Sequence, residues 1–145
     1  DRIVEFGMIN PAYAMRKSRY VWSTTTRPGW FLFNGYVRHD TQTGEEQVFQ
    51  LPEGVYASES PMIPKKPSSS EAVGREDSGY LVTFLIDENT GTSQCAILDA
   101  SDVTKGPICR LALPHKICSG THSVWVEHDQ LRADAAFHAE RFARA

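Results

Sequence analysis

Short apolar stretches alternate with turn-forming residues along most of this chain, a rhythm that restricts it to β-structure built from neighbouring hairpins. Arg19 to Thr26 (RYVWSTTT) is rich in β-branched and aromatic side chains, and Arg27-Pro28-Gly29 ends it. Trp30 to His39 (WFLFNGYVRH) begins a second strand with Gly35 as a bulge. Asp40 to Glu45 (DTQTGE) is a polar turn with Gly44 suited to positive φ, and Gln47 to Leu51 returns as the partner strand. The same grammar recurs in Tyr80 to Asp87 (YLVTFLID), the turn Glu88 to Thr92, and Ser93 to Asp99 (SQCAILD). Ile108 to Leu113 and Ser119 to Val126 supply two more strands. The total of about eight short strands indicates an all-β sandwich, barrel or propeller. The hairpins near residues 30–51 and 80–99 lie about 50 residues apart, a propeller-blade period, but two copies do not select among these architectures.

Two segments depart from this pattern. Lys65 to Ser78 (KKPSSSEAVGREDS) is polar and serine-rich and reads as a surface loop. Residues 129–145 (DQLRADAAFHAERFARA) are alanine-rich and read as a helical tail, with Asp129 as N-cap. Leu131, Ala135, Ala139 and Phe142 fall on one helical face, as in a docking or capping helix. Residues 1–128 form the β-rich part.

The length, 145 residues, suits one domain. Charges of both signs are interspersed at a net formal charge of -3, without the clustered basic face that nucleic acid requires. The longest uncharged run, 108–126, is interrupted by Arg110, His115, Lys116 and His122, so no helix there can span a membrane. The first residue is Asp1 rather than Met, and no signal sequence follows, which suggests a chain that begins inside a longer protein. Cys95, Cys109 and Cys118 are odd in number and lack CxxC spacing, the usage of free thiols in a reducing cytoplasm.

No Gly-rich phosphate loop, GxSxG elbow or HExxH motif is present. Of the five histidines, His122 has the most unusual setting, Ile117 to Val126 (ICSGTHSVWV), read as an apolar strand with Val124 and Val126 on the imidazole's face. A buried imidazole there needs a carboxylate, a carbonyl or a metal for its nitrogens. Two carboxylates have similarly apolar neighbours, Glu5 in Ile3-Val4-Glu5-Phe6 and Glu59 in Tyr56 to Met62. If buried, each must be paired, and an imidazole N–H is an apt partner; otherwise each lies at a surface edge or caps a turn.

The order of these segments resembles a known family, the carotenoid cleavage oxygenases. Glu5 to Asn10 (EFGMIN) with Arg19-Tyr20 is similar to their "EFPxI(N/D) … RY" segment, with Gly7 in place of the usual Pro. Ser58 to Pro61 (SESP) with Pro64 resembles "SExPxxP", although Ser60 leaves the register of Glu59 open by one residue. Asp77 to Asp87 resembles "DDGyLvTfvxD", and Leu98 to Gly106 resembles "LDAxdlxxG". Ile108 to Pro114 is similar to "vaRvxLP", and Gly120-Thr121-His122 with Trp125 to "GxHxxW".

The resemblance implies a seven-bladed β-propeller, of which this chain is the C-terminal portion of about three blades with a short C-terminal helix. It implies an Fe(II) on the propeller axis held by four histidines, one of which falls on His122. Glutamates that hydrogen-bond such histidines fall on Glu5 and Glu59. The implied reaction uses O₂ to split a C=C bond of a carotenoid, apocarotenoid or stilbene, giving two carbonyl products. The other three histidines, the N-terminal remainder of the propeller and any peripheral membrane contact would lie outside this chain, so the chain alone is expected to be inactive. The alternative reading is a non-catalytic β-rich interaction module that presents Trp22, Trp30 and Phe31 to a partner.

Overall fold

The computed structural model describes residues 2–66 and 74–143, with side chains described through Ala135. The first sheet is an antiparallel meander of β1 (Ile3–Met8), β2 (Tyr20–Thr26), β3 (Gly35–Asp40) and β4 (Glu46–Gln50), hydrogen-bonded in that order. The second contains β5 (Val55–Ala57), β6 (Met62–Pro64), β7 (Gly79–Asp87), β8 (Thr92–Asp99) and β9 (Pro107–Ala112). β5 and β6 both pair with β7, at its two ends, and so act as one interrupted strand. The second sheet therefore repeats the first as a four-position meander.

The described residues thus form two sheets, not the three or so blades expected. The difference falls on Ser119 to Val126, which is no strand. Its backbone joins no ladder; the flanking Ile117 N–H donates to Ser93 Oγ at 3.1 Å and the Ser123 N–H to Glu59 Oε2 at 2.6 Å. Side-chain acceptors hold this segment where a neighbouring strand would otherwise do so.

The repeat is real, but its period differs from the expected one. β2, β3 and β4 correspond to β7, β8 and β9, roughly 60 residues apart. The sequence comparison matched β3–β4 with β7–β8, hairpins that occupy different positions in their sheets.

The core lies between the sheets. Trp22 and Tyr36 from the first meet Leu81, Leu85, Ala96 and Leu98 from the second, all buried. Each fully buried leucine contributes about 1.5–3 kcal/mol through removal of apolar surface from water. Trp22 Nε1 donates across the interface to the Ala100 carbonyl at 2.9 Å, which satisfies the one polar atom of that ring.

The end of the expected surface loop also joins the sheets. Glu76 Oε1 accepts from Ser18 Oγ and from the N–H groups of Arg19 and Tyr20, at 2.7–2.8 Å. Asp77 is buried and pairs at 3.0 Å with Arg38 Nη2, whose guanidinium stacks on Tyr20 at 3.8 Å from the ring centroid. A buried ion pair of this kind fixes geometry more than it adds stability. Residues 67–73 of that loop lie outside the described residues.

Gly35 is not a bulge. It pairs in register with Thr25 and Gln50, and glycine is required by close approach: a Cβ would lie 2.5 Å from the Phe49 carbonyl oxygen and 2.8 Å from Thr25 Oγ1. Gly44 does adopt positive φ, +77°, in the β3–β4 turn.

The tail helix, α1 (His128–Ala143), begins earlier than expected because Glu127 rather than Asp129 is its cap. The Glu127 carbonyl accepts from the Leu131 N–H, while Gln130 Oε1 accepts from the Glu127 N–H at 3.1 Å, half of a capping box. Asp129 sits in the first turn, where its charge complements the helix dipole. Leu131 and Ala135 are exposed, so the expected docking face is uncovered as far as Ala135; the side chains of Ala139 and Phe142 lie outside the described residues.

Replacing Gly35 with alanine forces the β3–β4 and β2–β3 ladders apart. Thermal or denaturant unfolding of Gly35→Ala is expected to show a loss of about 1–3 kcal/mol; an unchanged midpoint would show that the approach relaxes freely.

Candidate metal centre

The first strand of each sheet carries one extra residue beside a glutamate. In β1, Glu5 faces Thr24 and Met8 faces Trp22, so the register shifts between them, and Phe6 adopts the left-handed conformation with φ 52°. In the second sheet, Ala57 faces Leu85 and Met62 faces Leu81, which again leaves one residue too many, at the break that holds Glu59. Bulges of this kind re-aim side chains. A non-glycine residue at positive φ costs about 1–3 kcal/mol and persists only where its surroundings enforce it.

Glu59 is buried, 6% exposed, and its register is no longer open: the carboxylate turns toward the C-terminal segment. Oε2 accepts the Ser123 N–H at 2.6 Å and lies 3.5 Å from His122 Nδ1. Ser123 Oγ donates to the Glu59 carbonyl at 3.1 Å, a second clamp between the same two residues. The Phe6 ring meets the His122 ring edge-on, with centroids 5.0 Å apart at 77°, and rests on Phe33 in a similar edge contact at 5.3 Å.

Beneath Glu59 runs a buried polar chain that the sequence reading missed. The Tyr36 hydroxyl, from the first sheet, donates to Thr83 Oγ1 of β7 at 2.6 Å. Thr83 Oγ1 donates to the Ser58 carbonyl at 3.2 Å, Ser58 Oγ donates to the Glu59 carbonyl at 3.1 Å, and the Phe84 N–H donates to Ser58 Oγ at 3.1 Å. Thr83 as the one aliphatic hydroxyl within YLVTFLID, with Ser58 and Ser60 flanking the glutamate, was the available signal. Burial pushes the Tyr36 phenol well above its ordinary value, against a smaller opposing effect of the Thr83 hydrogen bond.

Of the three residues singled out in sequence, the structure brings Glu59 and His122 together and leaves Glu5 apart. Glu5 is exposed, and among the described residues its carboxylate has no hydrogen bond or ion pair; only its carbonyl is used, accepting from Thr24 Oγ1 at 3.1 Å. The expectation of a buried imidazole is also corrected: the His122 side chain is 76% exposed, and Val124 and Trp125 beside it are exposed too. The segment crosses the edge of the two sheets, so one side of the ring meets Glu59 and Phe6 and the other meets solvent. Among the described residues no three His, Cys, Asp or Glu side chains cluster as a metal would require. At His122 a buried carboxylate lies beside Nδ1, an arrangement that leaves Nε2 available to a metal; His39 on β3 has a second such pair, its Nδ1 3.1 Å from the half-exposed Glu46 on β4.

Two paired meanders whose first strands carry glutamates at bulges define part of a β-propeller. Residues 1–127 match the retinal pigment epithelial membrane protein family, the carotenoid cleavage oxygenases, and the chain belongs to that family. The carotenoid 9,10(9',10')-cleavage dioxygenase 1 of Pisum sativum is 32% identical over 92% of the chain, and the carotenoid 9,10(9',10')-cleavage dioxygenase of Crocus sativus is 31% identical over 89%. Among solved structures, cobalt-substituted apocarotenoid oxygenase of Synechocystis superposes over 87% of the chain with a TM-score of 0.76 at 25% identity. The lignostilbene dioxygenase of Pseudomonas brassicacearum shares the fold, with a TM-score of 0.74 over 87% of the chain at 23% identity. The chain spans 26% of the Pisum protein and 26% of the Synechocystis chain. Its two sheets are blades of a propeller whose remainder is not in this sequence.

Because the folded state raises the Tyr36 pKa, that residue contributes stability below the ordinary phenol value near 10, lost as pH rises beyond it. Unfolding measured between neutral pH and about pH 11 should show a steeper alkaline loss for the parent than for Tyr36→Phe; parallel curves would contradict the assigned burial.

Proposed function

We propose that this chain is the C-terminal portion of an Fe(II)-dependent dioxygenase that cleaves a C=C bond of a carotenoid, apocarotenoid or stilbene with O₂, and that His122 is one of the iron ligands. The observation that carries this reading is the approach of the buried Glu59 carboxylate to His122 Nδ1, 3.5 Å, on a ring otherwise open to solvent. Family membership supports the reaction class, and the cobalt-substituted relative supports a metal centre.

His122 would supply one neutral imidazole to Fe(II), and the metal, when bound, would supply the O₂ chemistry of the cleavage. The residues of this chain prepare one ligand. Glu59 Oε2, 3.5 Å from Nδ1, stands where it would accept the Nδ1 proton as the ring settles on a metal, the tautomer that leaves the Nε2 lone pair free. The Ser123 N–H holds the carboxylate at that angle. Phe6 restricts rotation of the ring through its edge contact. Glu5, at the corresponding bulge of the first sheet and with a carboxylate that has no partner among the described residues, suits the imidazole of another histidine supplied by the rest of the protein.

The surroundings suit an apolar polyene or stilbene. Met8, Ile9, Pro61, Met62, Val124 and Trp125 line a cleft of about 400 Å³, whose polar lining residues are Ser123, Glu127 and Gln130. With only His122 of its five histidines assigned to the site, the isolated chain would hold iron too weakly for catalysis; the other ligands, and any membrane contact through which the substrate arrives, would come from outside it. The alternative, a non-catalytic interaction module, draws on exposed Trp30 and Phe31, but the third aromatic it requires, Trp22, is buried.

In the full-length protein, His122→Ala is expected to abolish both stoichiometric iron and double-bond cleavage, measured by metal analysis and product chromatography. Retention of both would rule out the assignment.

A further inference from the structure

We propose that Thr83 is a positioning residue for the Glu59 carboxylate, acting through Ser58 and anchored by Tyr36 of the neighbouring blade. The inference rests on the reading of Glu59 as the partner of His122, and adds a layer behind that pair.

The geometry carries it. Glu59 lies in the break between β5 and β6, where main-chain bonds to β7 are made beside it, by the Ser58 N–H to the Phe84 carbonyl at 2.9 Å and by the Val82 N–H to the Pro61 carbonyl at 3.4 Å, so its direction depends on what holds those neighbours. Ser58 is held at every polar atom. Its N–H donates to the Phe84 carbonyl at 2.9 Å, its Oγ accepts from the Phe84 N–H at 3.1 Å and donates to the Glu59 carbonyl at 3.1 Å, and its carbonyl accepts from Thr83 Oγ1 at 3.2 Å. The Thr83 hydroxyl in turn accepts from Tyr36 at 2.6 Å, and the Ser58 carbonyl at 3.2 Å is the nearest acceptor for its own proton, ahead of the Phe84 carbonyl at 3.4 Å; the Tyr36 hydroxyl also lies 3.4 Å from the same Ser58 carbonyl, so both hydroxyls converge on it. Tyr36 and Thr83 are each 1% exposed, so water cannot replace either partner. The chain therefore runs from β3 of one blade, through β7 of the other, to the peptide that aims Glu59. A displacement of the blades relative to each other is transmitted to the carboxylate, which couples assembly of the propeller to the geometry of one metal ligand.

A hydroxyl on a β-branched side chain is needed at position 83. Valine keeps the shape but offers neither an acceptor to Tyr36 nor a donor to Ser58; serine keeps both. The Ser123 amide proton, held by Glu59 Oε2 at 2.6 Å, reports the aim of the carboxylate directly and does so in metal-free protein.

The test is carried out on the full-length protein labelled with ¹⁵N-serine. In Thr83→Val the Ser123 amide proton is expected to move upfield from its strongly hydrogen-bonded position, and iron affinity to fall by up to about tenfold, at the lower end of what removal of a ligand's hydrogen-bond partner costs. Thr83→Ser is expected to restore both. Tyr36→Phe, which removes one hydroxyl and no packing, is expected to shift the same resonance in the same direction, and decides the matter if Thr83→Val does not fold. An unmoved Ser123 resonance in a folded Thr83→Val or Tyr36→Phe protein overturns the proposal, as does failure of Thr83→Ser to restore it. Because the resonance is read without metal, these outcomes stand apart from the iron assignment, which His122→Ala tests separately.

Discussion

The buried carboxylate of Glu59 is the group around which the rest of this structure is arranged. A carboxylate taken out of water costs several kcal/mol unless its lone pairs are satisfied. Here the Ser123 amide and the His122 imidazole meet one of its oxygens, while the carbonyl of the same residue receives both Ser58 and Ser123 hydroxyls. That demand explains why the segment after β9 runs back across the second sheet instead of leaving it. Within Ser119 to Val126 the Ser123 amide goes to the Glu59 side chain, and just before it the Ile117 amide goes to Ser93 Oγ, in place of a strand ladder.

The two blades are not independent supports for this arrangement. The Trp22 indole, the Arg38–Asp77 pair and the Glu76 carboxylate all cross from one to the other, and so does the Tyr36–Thr83 hydrogen bond. Packing of large side chains between the sheets fixes the distance, and the polar contacts fix the angle. The irregular first strands are what this rigid frame supports. A left-handed phenylalanine at Phe6 and a broken strand at Glu59 are locally unfavourable, and both occur where a side chain must be aimed out of the edge of a sheet.

Most strands were legible because alternation and turn chemistry are local. β2, β7 and β8 fall within a residue of their expected limits, and Gly44 takes the positive φ that its turn demands. What failed was non-local. Ser119 to Val126 has the composition of a strand and pairs with no strand among the described residues, and Gly35 is explained by the carbonyl of Phe49 on the neighbouring strand. The helix cap moved because the decisive contact is the reciprocal bond of Gln130 to Glu127, a pattern that the choice of Asp129 overlooked. At the site, motif order pointed to His122 and Glu59, which the structure brings within 3.5 Å of each other. It could not reveal the exposure of His122 or Glu5, since burial depends on what surrounds a side chain, and the relatives are about four times the length of this chain. The hydroxyl chain from Tyr36 to Ser58 was invisible for the same reason: its members come from three separated segments that meet only on folding.

The central claim is that His122 coordinates iron through Nε2 while Glu59 holds Nδ1. A crystal structure of the full-length protein, with anomalous data collected at the iron absorption edge, addresses it most directly. The account predicts an iron peak at bonding distance from His122 Nε2, with the Glu59 carboxylate hydrogen-bonded to Nδ1. An iron peak remote from residue 122, or an imidazole turned away from Glu59 in the iron-loaded protein, would contradict it.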